Sequence, residues 1–445
     1  MDSIRFLGAA GTVTGSSYVI QKESGKGIMV DLGMFQGPFH IENLNRAPLD
    51  FSVPDIEGVI LTHAHLDHCG RLPLLAQLGF SGKIYMTKPT RELIEIVLLD
   101  SAKISHSERD EPLYTEEDVQ RILDMSTVVD YHAPFEIGGY GITMYDAGHI
   151  LGSASVVING AQKMVFSGDL GNSPEELLHA TEKIAAADVV VMESTYGDRT
   201  HHVEDTDAML LNEINAIEKN GGVLLIPAFS IERTQEILHK IDHLKRANKV
   251  LAKTPVYLDS PMAIKTTSVY KEFRNLYSPE LVDHVKKDDP FDFPGLSLVE
   301  SVEESKAILG VYGAKVIIAG SGMMSGGRIM YHALEYLSYR SSRLFIVGYQ
   351  GEGTLGRDIL DGARVVTIKG RKVQVNATVT HSSGMSAHAD QPRLLNWFNS
   401  IESVKRLILT HGEDGPRTHL KQKINEDKTS LTIDTPHLNE TISLT

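Results

Sequence analysis

Apolar and polar positions along this chain follow two different rhythms. In the first, short apolar runs each end at a polar side chain. Residues 4–7 and 17–20 read as strands flanking Gly8-Ala9-Ala10-Gly11-Thr12-Val13-Thr14-Gly15. That glycine spacing suits a β-turn region better than a dinucleotide fingerprint. Gly27-Ile28-Met29-Val30 predicts a strand closing at Asp31-Leu32-Gly33, and Gly58-Val59-Ile60-Leu61 predicts another. Residues 90–123 place Glu92, Ile94, Glu95, Leu98 and Leu99 at helical spacing, predicting helices over one sheet face. Runs at 141–145, 163–166 and 188–192 lead to Asp146-Ala147-Gly148-His149, Ser167-Gly168-Asp169 and Glu193-Ser194-Thr195. Several acidic or imidazole residues in succession beyond strand ends suggest one edge of a sandwich carrying one site.

From Asp205 the rhythm changes. A helix over 208–219 closes at Gly221-Gly222, a C-cap signal. Strand–loop–helix units follow: 223–226 with a helix from about Glu232, 256–258 with one from about Ala263, 315–319 with one from Arg328, and 344–347 with one near Arg357. Continuous apolar strands alternating with helices imply a parallel, doubly wound sheet whose carboxyl-end loops form a crevice. Helix N-termini favour anions. Arg233, Arg328 and Arg357 lie at or near such starts. Each either meets a backbone phosphate or caps and pairs locally. Around residue 365 the β texture returns, with a hairpin of 364–368 and 371–379 through Lys369-Gly370, then Ser386-Ala387-His388-Ala389-Asp390, a helix over 393–399 and a strand over 406–410 before His411-Gly412-Glu413. The simplest reading is one domain, residues 1–204 and 365–445, split by an insertion of residues 205–364.

Composition narrows the class. A chain of 445 residues exceeds one ordinary core, so two or three domains are expected. At 42% hydrophobic and 23% charged it reads as globular, and it has no apolar run long enough for a membrane span. The N-terminus, Met1-Asp2-Ser3-Ile4-Arg5-Phe6-Leu7, reads as a strand and not a signal peptide. Cys69 is the single cysteine, so no internal disulfide is available and a reducing, cytoplasmic setting is expected. Its thiol either ligates metal or fills space as a small apolar group. A net charge of −15 argues against a nonspecific nucleic-acid coat. It leaves room for a nuclease, because bound metal ions themselves attract phosphate.

The densest chemistry lies in Leu61-Thr62-His63-Ala64-His65-Leu66-Asp67-His68-Cys69-Gly70. In an extended segment alternate residues face the same way, so His63 and His65 can reach one ion. Asp67 and His68 fall where a helix should begin, point elsewhere and can hold a second. This ligand mix suits zinc, with manganese or iron as alternatives. Two ions need more ligands than four, and the strand-end residues downstream are the candidates. Asp31 either orients a ligating histidine or satisfies its own turn.

Together these motifs resemble the β-CASP group of metallo-β-lactamase-fold ribonucleases, related to RNase J and to the nuclease subunit of the cleavage and polyadenylation factor. The likeness rests on Asp31, on His63, His65, Asp67 and His68, on His149, on Asp169, on Glu193 in Glu-Ser-Thr-Tyr-Gly, on His388 in Ser-Ala-His-Ala-Asp, and on His411 in Thr-His-Gly-Glu. It implies an α/β fold: an αββα sandwich carrying an inserted β-CASP domain on a parallel, doubly wound sheet, with an RNA-metabolising C-terminal part. It further implies that His63, His65 and His149 hold one zinc and that Asp67, His68 and His411 hold the other. Asp169 would bridge them, Asp31 would order the loops and histidines, and Glu193 would support His388 or a neighbouring ligand.

Two zinc ions can share a hydroxide that attacks phosphorus at neutral pH. Hydrolysis of single-stranded RNA, leaving 5′-phosphate products, is the implied reaction, by endonuclease and also 5′-exonuclease action. His388 would contact the scissile phosphate or protonate the leaving oxygen. Such chemistry does not need the 2′-hydroxyl, so single-stranded DNA is a second candidate substrate. Bases could stack on Phe229 or Tyr349. By resemblance alone the chain forms a homodimer, and no separate C-terminal RNA-binding domain is expected. Two competing readings are a metal-dependent hydrolase of a small ester or thioester, with the insertion as a lid, and a noncatalytic RNA-binding protein. The complete ligand set argues against the latter.

Overall fold

The structure is a computed structural model, and it describes residues 2–108, 111–173, 176–201, 205–286 and 288–444. Residues 109–110 of the predicted helical stretch and the expected boundary residue 204 lie outside them. The chain divides into two compact units, Met1–Thr200 with His388–Thr445, and His201–Ala387.

Among the described residues the first unit carries two seven-stranded sheets. One runs, in spatial order, Thr441–Ser443, Ser3–Phe6, Ser17–Gln21, Gly27–Leu32, Ile56–Ile60, Lys83–Met86 and Ser126–Val128. The other runs Thr432–Asp434, Arg406–Leu409, Val189–Met192, Lys163–Phe166, Ala154–Asn159, Tyr140–Asp146 and Phe135–Ile137. Period-two alternation explains the layering. Ile28, Val30, Ile60, Val156, Ile158, Val189 and Val191 join Phe6, Phe166 and Ile408 in the core between the sheets. Their neighbours Val157, Val190 and Met192 face outward, into a second core formed with Leu394, Trp397, Phe398, Leu420 and Ile424. Those five come from the helices Gln391–Asn399 and Asp414–Asp427. On the other outer face, Leu66–Cys69 and Lys88–Glu108 lie against Gly27–Leu32 and Ser126–Val128. Helix, sheet, sheet, helix is the layering expected.

The second unit is built on a six-stranded sheet ordered Leu296–Leu298, Val256–Leu258, Lys315–Ala319, Val223–Pro227, Arg343–Ile346 and Thr378–His381. Every pairing in it is parallel, as the buried apolar strands predicted. The helix expected over 208–219 spans Thr206–Asn220 and closes on Gly221 at φ 66°, a left-handed cap that glycine adopts without strain.

The second unit runs further than the insertion boundary expected at 364/365. The hairpin Val365–Ile368/Arg371–Gln374 ends earlier than anticipated, and Thr378–His381 leaves it to pair in parallel with Arg343–Ile346. Residues 365–387 therefore fall in the second unit, the hairpin as a sheet of its own and Thr378–His381 as an edge strand of the six-stranded sheet, and the first unit resumes at His388.

Candidate metal centre

The sandwich positions most of the candidate ligands because they follow closely on strand ends. His63 and His65 come after Ile56–Ile60, His149 after Tyr140–Asp146, Asp169 after Lys163–Phe166, Glu193 after Val189–Met192 and His411 after Arg406–Leu409. Asp67 and His68 lie in the single-turn helix Leu66–Cys69. Backbone hydrogen bonds hold the connecting loops together: Ser16 N–H donates to Asp67 O at 2.8 Å, and His411 N–H to Ala9 O at 2.8 Å. Close approach sets residue choice at two places. A Cβ on Gly33 would sit 1.6 Å from Asp67 O, and one on Gly171 would sit 1.7 Å from Gly148 O. Asp31 and His411 accept left-handed φ values of 56° and 46°, backbone strain that the surrounding contacts must hold.

Two groups hold the expected ligands: His63, His65, His149 and Asp169 are one, and Asp67, His68 and His411 the other; a third overlaps both and joins Asp169 and His411 to His388. His65 Nδ1 lies 3.2 Å from His63 Nε2 and 3.1 Å from His149 Nε2. Asp169 stands between the groups. Its Oδ2 is 3.5 Å from both His63 Nε2 and His149 Nε2, while its Oδ1 is 3.2 Å from His68 Nε2 and 3.5 Å from His411 Nε2. Asp67 Oδ2 lies 3.4 Å from His411 Nε2.

The donor set fits two divalent cations. Asp169 is 1% exposed, and neither of its carboxylate oxygens has a hydrogen-bond partner. A buried carboxylate so placed is costly unless each oxygen meets a cation. Burial first, then neighbouring positive charge, drives His63 well below the ordinary imidazole range, and burial takes His65 down to about 4. Both keep free lone pairs for a metal. Burial also opposes charge on Asp169, but the imidazoles of His411, His68 and His63 outweigh it and hold the carboxyl well below its usual range.

The hydrogen-bond network around the candidate ligands sets which nitrogen of each imidazole faces the centre. Asp31 Oδ2 receives His68 Nδ1–H at 2.7 Å and the Thr62 hydroxyl at 2.8 Å, while Asp31 Oδ1 receives Thr62 N–H at 2.8 Å. Thr62 Oγ1 in turn lies 3.0 Å from His63 Nδ1. Thr195 Oγ1 lies 3.1 Å from His411 Nδ1. With these Nδ1 atoms engaged, His63, His68 and His411 present Nε2, whereas His65 presents Nδ1. The two threonines were not singled out from the sequence. Their signal was position: Thr62 precedes the first ligand, and Thr195 sits two residues past Glu193.

His388 stands beside the ligands with Nδ1 3.2 Å from Glu193 Oε1 and 3.9 Å from Asp169 Oδ2. Burial works against its charge, but the Glu193 and Asp169 carboxylates prevail and push its pKa up to about 9. Glu193 also accepts backbone N–H bonds from Leu170 at 2.9 Å and Thr195 at 3.1 Å. Cys69 joins neither ligand group. It is fully buried, its Sγ–H directed at Ala64 O at 3.4 Å, and burial pushes the thiol pKa well above its ordinary value.

The arginines of the insertion are committed elsewhere. Arg233 is 3% exposed and paired with Glu236 one turn on. Arg328 bonds Asp259 Oδ1 at 2.5 Å, Val299 O at 3.0 Å and Glu300 O. Both guanidinium groups face a buried local carboxylate, and moving either away from it would cost stability. Arg357 pairs with Asp361 on its own helix. Phe229 is half-buried, its ring against Gly322 and Gly348, and Tyr349 is half-buried next to Gly348.

Residues 10–198 match the metallo-beta-lactamase superfamily, residues 234–359 the Beta-Casp domain, and residues 372–436 the Zn-dependent metallo-hydrolase RNA specificity domain. The chain is 40% identical over 412 residues to Ribonuclease TTHA0252 of Thermus thermophilus, covering 92% of each protein. It is 30% identical to Transcription termination factor FttA of Methanocaldococcus jannaschii, over 92% of this chain and 67% of that protein. Cleavage and polyadenylation specificity factor 73 of Drosophila melanogaster is also 30% identical, over 95% of this chain and 62% of its own length. A crystal structure of a protein of unknown function from Enterococcus faecalis shares the fold, with a TM-score of 0.56 at 14% identity over the whole of both chains. The chain belongs to the β-CASP nucleases of the metallo-β-lactamase superfamily, a family of metal-dependent hydrolases.

Proposed function

We propose that this protein is a dizinc ribonuclease that cuts single-stranded RNA to leave 5′-phosphate ends. The observation that carries the reading is Asp169: one carboxylate oxygen faces each ligand group, and neither oxygen is hydrogen-bonded. Divalent cations held by these residues would supply an activated water at neutral pH and offset the charge of the nonbridging phosphate oxygens. The chain does the rest. His63, His65 and His149 fix one position; Asp67, His68 and His411 fix the other. Asp31 and Thr62 lock the imidazoles so that the reacting groups stay aligned. His388, held protonated by Glu193, offers a proton to the departing 3′-oxygen or a charged contact to the scissile phosphate. Phe229 and Tyr349 are the stacking surfaces proposed for bases. The same chemistry accepts single-stranded DNA, with RNA preference set by contacts to the 2′-hydroxyl.

The test compares 5′-labelled with internally labelled RNA after loading the purified protein with zinc or manganese. Products carrying 5′-phosphate, lost in His63→Ala together with bound metal, are expected. Intact RNA beside an active control nuclease, with the metal in place, would remove the proposal.

A further inference from the structure

The second unit contains a second set of imidazoles that shares no residue with the centre described above. His239 and His243 stand four residues apart on the helix Arg233–Arg246, so both project from one face. His284 reaches them from the helix Pro279–Val285. The rings of His239 and His243 are 4.2 Å apart between centroids, those of His239 and His284 5.2 Å, and those of His243 and His284 4.8 Å. One nitrogen from each lies within 4.8 Å of one from each of the others. His243 Nε2 and His284 Nδ1 approach to 2.9 Å.

A hydrogen-bonded pair of neutral histidines accounts for only part of this. His239 is 4% exposed, and its Nδ1 is buried without a hydrogen-bond partner. Burying an imidazole nitrogen unpaired costs stability. Burial, then the neighbouring His243 and His284, lowers His239 to about 3, and burial with His243 lowers His284 as well.

The arrangement has the further features of a metal site. Asp242 is fully buried, and its Oδ2 lies 3.4 Å from His284 Nε2. With Nε2 turned toward that carboxylate, Nδ1 is left facing His243. A carboxylate behind a ligating histidine is the usual orienting contact. Arg246 also bonds Asp242, at 2.7 Å, which fixes that carboxylate in place. His243 is exposed, so an ion has a path from solvent. Three imidazoles with a position left for water suit zinc, and imidazole also accepts copper, nickel and iron.

We propose that His239, His243 and His284 bind a zinc-class transition-metal cation that clips the helix Pro279–Val285 to the helix Arg233–Arg246. The site is independent of the nuclease centre. Its role is to hold the second unit's helices together, so its loss leaves the ligands of the nuclease centre in place.

The test is metal content of the full-length protein after chelation and reloading with zinc. Wild type, His243→Gln, His284→Asn and His63→Ala are compared, with the double variant His63→Ala/His243→Gln. His243→Gln and His284→Asn should each lose about one zinc per chain relative to wild type. The same loss should appear on the His63→Ala background, so a failure of the nuclease centre to load does not mask it. RNA cleavage by His243→Gln should stay near wild type. A second readout needs no dependence on zinc counts: cobalt(II) titrated into His63→Ala should give visible bands of a low-coordinate nitrogen site, absent from His63→Ala/His243→Gln. Equal zinc content with and without His243, or cobalt spectra that do not change on its replacement, would overturn the proposal. His243 is solvent-exposed, so glutamine there keeps the helix; unchanged far-ultraviolet circular dichroism checks this.

Discussion

Asp169 and His388 sit within 4 Å of each other yet should fail in different ways when replaced. Around its two oxygens Asp169 has the imidazoles of His63, His149, His68, His411 and His388, and neither oxygen is hydrogen-bonded. In Asp169→Asn the bridging charge disappears, so both ligand groups should release metal and cleavage should fall by about 100-fold or more, the scale seen when one electrostatic stabiliser is lost. His388→Ala should keep its metal and lose about 10²–10⁴-fold in kcat, as expected for a lost proton donor. Elemental analysis beside single-turnover cleavage separates the two; metal loss in His388→Ala would make it a ligand instead.

Asp146, just before the His149 loop, supplies a pH prediction. Burial pushes its carboxyl up to about 7, against the hydrogen bond it accepts from Gly148 N–H at 2.8 Å. The folded protein then binds a proton that the unfolded chain has already released. Asp146 therefore contributes stability below pH ~4, and this is lost as pH rises through about 7. Asp146→Asn, which can accept the same bond, should raise the melting temperature at pH 8 and change it little at pH 4. A gain of equal size at both pH values would contradict the assignment. None of this was legible in the sequence, where Asp146 looked like any polar residue closing a strand. The candidate ligands were legible as a cluster, because an imidazole or carboxylate beyond one strand after another has few structural uses. Thr62 and Thr195 were not, because hydroxyls beside ligands are too common to stand out.

The helices of the insertion show where local pattern stops being informative. Arg328 immediately precedes the helix Ile329–Tyr336, the place where a phosphate contact is expected. The sequence does not reveal that Asp259, fully buried at the end of Val256–Leu258, lies within reach. Asp259 collects Arg328, the Ser305 hydroxyl at 2.6 Å and His332 Nε2 at 2.7 Å. Arg328→Met leaves that carboxylate without its cation and frees two carbonyls. It should destabilise the protein by about 2–4 kcal/mol in urea unfolding, somewhat under the ~3–5 kcal/mol for breaking a fully buried pair because Arg328 is 19% exposed. If instead stability holds and only KM for RNA rises, Arg328 serves phosphate after all. Strand Thr378–His381 misleads for a related reason. Its Thr-Val-Thr-His pattern is β in character whichever sheet receives it, and the half-exposed edge it occupies imposes no long apolar run. The parallel partner Arg343–Ile346 is fixed by packing that no local window contains. The central strands of the same sheet carry their parallel character openly, since burial on both faces demands unbroken apolar runs.

In the first unit, segments far apart in sequence converge on one edge of the sandwich, and two kinds of bond can keep them there. Backbone hydrogen bonds form one kind: Gly33 N–H to Ser16 O at 2.8 Å, Ser16 N–H to Asp67 O at 2.8 Å, Gly171 N–H to Ala147 O at 3.0 Å and Gly412 N–H to Thr12 O at 3.1 Å. Metal–ligand bonds, on the proposal above, form the other. The strands beneath the loops draw their stability from the apolar core between the sheets and need neither. Removing the cations should therefore loosen the loops without unfolding the sandwich. Hydrogen exchange of the chelated protein should speed up in residues 61–70, 147–152, 167–171 and 410–413 by about tenfold or more, while Ile56–Ile60, Tyr140–Asp146 and Val189–Met192 stay protected. Restoring zinc should reverse the change. Exchange in those loops that ignores chelation would mean that hydrogen bonds alone hold the site. Exchange that spreads into the core strands would mean that metal binding and folding of the sandwich are one event, as they are where no core can form without the ion. The core here is large enough that the loops should respond by themselves.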